Sequence, residues 1–176
     1  MISENQIFIN KTNLKKKDIK NKPYFPTEYA LDIENSDVLF LPIEKFRTYD
    51  DAVFPEGTML FFDYLKEKLS NKDLSLEICI KDEDYKELEL HSFVERLAHI
   101  MLGAIAFPVV ANLISNYLTQ KWLDKKEDVD LEIKLTIEDK GLEVDYKGKA
   151  KDFDKVLKSV EKHLLKNKID DNNDNR

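Results

Sequence analysis

VDLEIKLTIEDKGLEVDY, residues 129–146, is the stretch whose reading decides the fold. Leu131, Ile133, Leu135 and Ile137 alternate with Asp130, Glu132, Lys134 and Thr136. A period of two sets one group of side chains on a core and the other in water. Asp139-Lys140-Gly141 interrupts the alternation with a glycine able to take positive φ, and Leu142, Val144 and Tyr146 return on the apolar face. The pattern predicts an antiparallel hairpin over this stretch.

Downstream, Phe153, Val156, Leu157, Val160 and Leu164 form a stripe at helical spacing. They predict a closing helix from about Asp152 to Leu165, with Asp152 and Asp154 in its first turn and Lys162 and Lys166 near its end, as the helix dipole favours. Residues 167–176 (NKIDDNNDNR) read as a disordered polar tail. Upstream, a second alternating stretch begins with the same tripeptide pattern. Leu76-Glu77-Ile78 is followed by Ile80, a turn at Lys81–Tyr85, and a return at Leu88 and Leu90. This predicts a first hairpin over 76–90. Before it, Thr58 as N-cap and Met59, Phe62, Leu65 and Leu69 on one face predict a helix over 58–69. Asp37–Ile43 reads as a short buried strand ended by Pro42.

Between the two hairpins, Leu97–Gln120 contains no Asp, Glu, Lys or Arg. A helix over that run would be about 36 Å long, enough to span a bilayer core of about 30 Å. Pro108 breaks the run, and Asn112, Ser115, Asn116, Thr119 and Gln120 form a polar strip at helical spacing. The favoured reading is a pair of buried helices over 94–122, available for self-association. Its alternative is a membrane-associated effector that inserts residues 97–120. Gly103, Ala104 and Ala106 would admit a close backbone. Ile105, Val109, Leu113 and Tyr117 are the candidate contact stripe.

The chain has 176 residues, a net charge of −7 and 36% charged residues against roughly 25% for an average domain. Its pI near 5.1 disfavours a general nucleic-acid binder. Lys11, Lys15, Lys16, Lys17, Lys20 and Lys22 outnumber Asp18 within residues 11–22, so this segment carries +5 and the remainder −12. Residues 1–36, with Pro23 and Pro26, therefore read as an extended basic arm. In that arm Lys15, Lys16, Lys17 and Lys20 are candidates for touching an acidic partner. Met1–Asn10 has no apolar signal-peptide core, and a single cysteine suits a reducing, cytoplasmic setting.

Little in the chain points to catalysis. Cys79 is the one thiol, and a cysteine hydrolase pairing it with His91 is a further alternative. Burial as an inert thiol is the plainer reading. His99 reads as a hydrogen-bonded core residue within an apolar helix. His91, His99 and His163 lack the spacing of a zinc site, so no metal or cofactor is expected. No phosphate-cradling glycine motif or nucleophile elbow occurs.

From Asp37 to Leu165 the order of elements resembles the small effector-associated constant components of bacterial conflict systems. The residues that carry the resemblance are the uncharged helix Gly103–Tyr117, Trp122 and the charged linker Leu123–Asp128. The hairpin Val129–Leu135 with its return Leu142–Asp145 comes after these, and then the helix near Asp152 with Val156 and Leu157. The strand at 38–43 and the helix at 59–69 occupy the family's N-terminal places. The additional stretch 74–90, the long N-terminal arm and the four glycines depart from it. The resemblance implies a non-catalytic partner, coupling a sensor to an effector in bacterial, including anti-phage, defence. It supplies no catalytic residues.

The expected architecture is α+β in the order β-α-ββ-α-ββ-α. An antiparallel sheet of two hairpins plus a short strand packs against helices in one domain, residues 37–166. The expected function is binding and assembly with a protein partner, an effector or sensor subunit, or with a further copy of the chain. Gly103, Ile105, Val109, Leu113, Tyr117 and Trp122 are the candidate contacts.

Overall fold

The computed structural model describes residues 4–89, 93–123 and 129–173. In chain order the elements are β1 (Gln6–Lys11), α1 (Lys16–Ile19), α2 (Ala30–Asn35), β2 (Val38–Leu41), β3 (Phe54–Pro55), α3 (Thr58–Ser70), β4 (Leu76–Ile78), β5 (Glu87–Leu88), β6 (Val94–Arg96), β7 (His99–Leu102), α4 (Phe107–Lys121), β8 (Asp130–Ile137), β9 (Leu142–Lys149) and α5 (Phe153–Asn173).

The hairpin over 129–149 forms as its alternation requires. β8 and β9 pair antiparallel from Asp130↔Lys149 to Ile137↔Leu142, and Gly141 turns the chain at φ +58°. The rest of the sheet departs from expectation. Its order is β1-β9-β8-β7-β2-β4, with β6 also on β8. β2–β4, β6–β8 and β7–β8 pair parallel, so the sheet is mixed, not antiparallel. The reason lies in the connections. β2 reaches β4 through α3, and β7 reaches β8 through α4, and a helical crossover returns the next strand in the same direction.

Two expected elements are thereby corrected. Among the described residues the first hairpin does not form, and Leu90 of its expected return lies outside them. β4 pairs with β2, and the return leg, β5, pairs parallel with β3 in a separate two-stranded sheet. The uncharged run 97–120 is not a helix pair. It begins as strand β7, turns through Gly103, and only then enters α4, with Pro108 in the first turn where its missing N–H costs nothing. A fully buried strand has the same apolar composition as a buried helix, which is why the run misreads. Among the described residues no helix is long and apolar enough to cross a membrane.

One face of the sheet is continuous from Phe40 through Ile100 and Leu135 to Val144, directly opposite one another across the strands. The helices cover this face. Phe61 and Phe62 of α3 sit against Phe40 at 5.5 Å between ring centres, and Phe153 of α5 sits 5.4 Å from Tyr146. The α5 helix continues past the expected end at Leu165, through residues read as a disordered tail, to Asn173.

The N-terminal segment is also folded, where an extended arm was expected. β1 forms the edge strand beside β9, and Asn5 locks its start: its Oδ1 accepts from the Lys149 N–H at 2.8 Å and its Nδ2 donates to Asp152. Ile19, Tyr24, Phe25 and Ile33 are buried, contributing apolar area that the lysine count concealed.

Candidate functional site

Two clefts on this framework bear on the candidate residues. The larger, about 530 Å³, lies where the start of α3, β5, β6 and the end of α4 meet. The other, about 450 Å³, lies between the N-terminal segment and the polar face of β8 and β9.

The first cleft is built around an unusual helix start. Gly57, at φ +82°, precedes α3 with no side-chain cap of its own. Thr58, expected as the cap, is instead the first helical residue, and its hydroxyl donates to the Pro55 carbonyl at 2.6 Å. The orphan N–H groups of Gly57 and Met59 are met by the Glu87 carboxylate, at 2.9 and 2.8 Å, and the Tyr85 hydroxyl donates to it at 2.6 Å. Burial alone would raise the Glu87 pKa, but the hydrogen bonds from Tyr85, Met59 and Gly57 outweigh it and hold the carboxyl below its usual range. Glu87 thus serves as the anion that a helix N-terminus favours.

On the facing wall, Lys121 Nζ pairs with Glu95 at 2.6 Å and lies over the Trp122 and Tyr117 rings. Arg96 Nε donates to Glu132 at 2.9 Å. Lys121 and Arg96 are therefore matched within the chain, while Glu56, on the side of α3, is exposed. Besides Glu56, what remains is apolar and one donor. Leu60 is 73% exposed and Met59 stands beside it on the rim. The Trp122 indole Nε1 is buried and has no acceptor among the described residues. A buried N–H without an acceptor costs about 1–3 kcal/mol, and an arriving carbonyl oxygen would recover it. Phe93 and Leu123, next in sequence to Val94 and Trp122, are also exposed.

The six residues expected to form a contact surface divide between the two ends of α4. Trp122 lines this cleft, while Tyr117 packs against α3, its ring 4.7 Å from Phe61 and 5.2 Å from Tyr64. Leu113 is buried and Val109 half-buried in the core, so the stripe is mostly interior. Gly103 and Ile105 lie at the far end. A Cβ on Gly103 would meet Asp139 Oδ1 at 3.8 Å, an ordinary contact, so among the described residues no backbone of the chain itself approaches closely there. Ile105 is 90% exposed.

The basic residues are mostly committed to the fold. Lys15 Nζ donates to the Glu138 carbonyl, Lys16 Nζ to the Ser36 carbonyl, and Lys20 pairs with Glu34. Lys17 is exposed and has no described partner. Cys79 is fully buried, and burial pushes its thiol up to about 12. Its suggested partner His91 lies outside the described residues. In the second cleft, His99 belongs to strand β7, not to a helix, and its Nε2 is 2.8 Å from Thr136 Oγ1. Burial, helped by nearby Lys134, lowers its pKa to about 3, so it is neutral at physiological pH. No group of three or more potential metal-ligating side chains occurs among the described residues.

Leu60, Met59 and Glu87 are the site residues that sequence reasoning missed. Glu87 read as part of a hairpin return, and no local pattern reveals that it caps a helix starting about 30 residues earlier. Leu60 falls outside the apolar stripe of α3, the one signal that could have marked it as available.

No family model matches the chain, and no curated protein or solved structure matches it.

Proposed function

We propose that this chain is a non-catalytic binding and assembly subunit that docks a protein partner in the cleft between α3, β6 and the end of α4. The observation that carries the reading is the buried Trp122 indole N–H, which has no acceptor among the described residues and stands beside the apolar rim of Met59 and Leu60. A partner segment presenting a backbone carbonyl to Trp122 and an apolar side chain to Leu60 would answer both. Lys121, Arg96 and Glu87 are already met within the chain, which favours an apolar and hydrogen-bonded contact over an ionic one. The reading needs no nucleophile, and a thiol raised to about 12 supplies little thiolate at neutral pH.

The resemblance to effector-associated constant components gives the partner its identity in this reading. It is an effector or sensor subunit of a bacterial defence system, met in the cytoplasm. The test is co-expression with the proteins encoded beside this one, followed by affinity measurement. Leu60→Glu and Trp122→Phe should each weaken capture more than tenfold, while Ile105→Glu, at the far end of α4, should not. Binding unaffected by Leu60→Glu would overturn the cleft as the docking site. Failure of every neighbouring product to bind would overturn the coupling role.

A further inference from the structure

The outer edge of β1 has no partner strand among the described residues. Its register shows which groups it presents. Thr12 N–H donates to the Gly141 carbonyl, so by alternation Asn10, Phe8 and Gln6 turn their backbone groups toward β9. Ile7, Ile9 and Lys11 turn theirs outward. The side chains at this edge are apolar on both faces. Phe8, opposite Asp145, is 53% exposed on the polar face of the sheet, and Ile7, opposite Tyr146, is 43% exposed on the other. No proline or bulge blunts the strand, and Lys11 is its one charged residue.

From this we infer that β1 pairs antiparallel with β1 of a second copy, about a two-fold axis at Phe8. The parity of the outward groups restricts the register. With Phe8 opposite Phe8, the outward Ile7 and Ile9 form hydrogen-bonded pairs. The two phenyl rings meet as a non-hydrogen-bonded pair, whose side chains stand closest. The charges suit this arrangement. Glu4 and Lys11 lie at opposite ends of the segment, so the acidic end of one copy meets the basic end of the other and no like charges face each other. A ladder of five β1 residues from each copy covers less than the roughly 1,200 Å² of a stable interface, so the dimer is expected at high concentration.

Sedimentation velocity of the full chain from about 10 μM to about 1 mM should show the average mass rising toward that of a dimer. Ile7→Pro removes an N–H that no described residue accepts and leaves the β9 ladder intact, so it should fold normally and stay monomeric. Phe8→Cys should cross-link on mild oxidation, because the non-hydrogen-bonded pair lies within disulfide reach and the native Cys79 is buried. Gln6→Cys should not, since its equivalent would sit roughly 13 Å away. A monomer at every concentration, a dimer that survives Ile7→Pro, or equal cross-linking at positions 6 and 8 would each overturn the inference.

Discussion

Leu76-Glu77-Ile78 and Leu131-Glu132-Ile133 bring the same three side chains, in the same order, into one sheet at different places. The first is β4, a three-residue edge strand lying parallel to β2 after a crossover through the thirteen residues of α3. The second falls within the eight residues of β8, which has β9 on one side and β6 and β7 on the other. The turn chemistry at the C-terminal end of each strand sets the difference. After β8 the chain meets Gly141, which takes φ +58° without strain and folds β9 straight back. After β4, Cys79 donates one more bond to the Phe40 carbonyl at 2.9 Å, and the chain then leaves through Asp82–Asp84 with no glycine to close a tight turn. Alternation thus selects a strand and its buried face, while the turn selects its partner.

The third residue of each tripeptide tests this comparison most strongly. Ile133→Ala should cost about 3 kcal/mol, because the side chain is buried in a strand flanked on both sides. Ile78→Ala should cost about 1 kcal/mol, because that side chain is only half-buried at the sheet edge. Urea unfolding of the two variants gives the difference directly. Equal losses would mean that β4 is as integral to the core as β8.

The connections come next in size. Gly141→Val should cost about 2 kcal/mol, since a β-branched residue is strained at that φ and its Cβ would lie 3.0 Å from the Thr12 carbonyl oxygen. One glycine inserted between Glu83 and Asp84 should change stability by less than about 0.5 kcal/mol, because the loop it lengthens closes no hairpin. Thermal midpoints compare them, and an insertion as damaging as Gly141→Val would show that the 82–84 turn is itself under geometric constraint.

The same contrast explains what the residues disclose of the fold. The hairpin, β2, α3 and the stripe of α5 are legible because each is a local period ended by a local signal. The parallel pairings are not, because β7 and β8 find each other only after α4 has crossed the sheet. The folded N-terminal segment is hidden for a related reason: four buried side chains, Ile19, Tyr24, Phe25 and Ile33, hold down a stretch whose six lysines dominate its composition. Of the cleft, Trp122 could be picked out as a candidate. Glu87 and Leu60 could not, since one acts on a distant helix and the other is defined by what it fails to touch.

The middle residue of each tripeptide gives the smallest effect and separates the two by sign. Glu132 is matched by Arg96 at 2.9 Å, so Glu132→Gln should lower stability slightly at pH 7. Glu77 is half-buried, and burial raises its pKa, with Lys66 opposing and Asp32 adding to the rise. A carboxyl whose folded pKa lies above its unfolded value binds protons more tightly when folded. Stability therefore falls as pH rises from the unfolded value, about 4.3, through the folded one, and the ionised form carries the full cost at neutrality. Glu77→Gln should then raise stability at pH 7 by less than about 0.5 kcal/mol, and the gain should vanish near pH 3, where the native carboxyl is protonated in both states. Urea midpoints at the two pH values measure this, and a destabilised Glu77→Gln at pH 7 would mean that Glu77, like Glu132, is held by a partner that favours its charge.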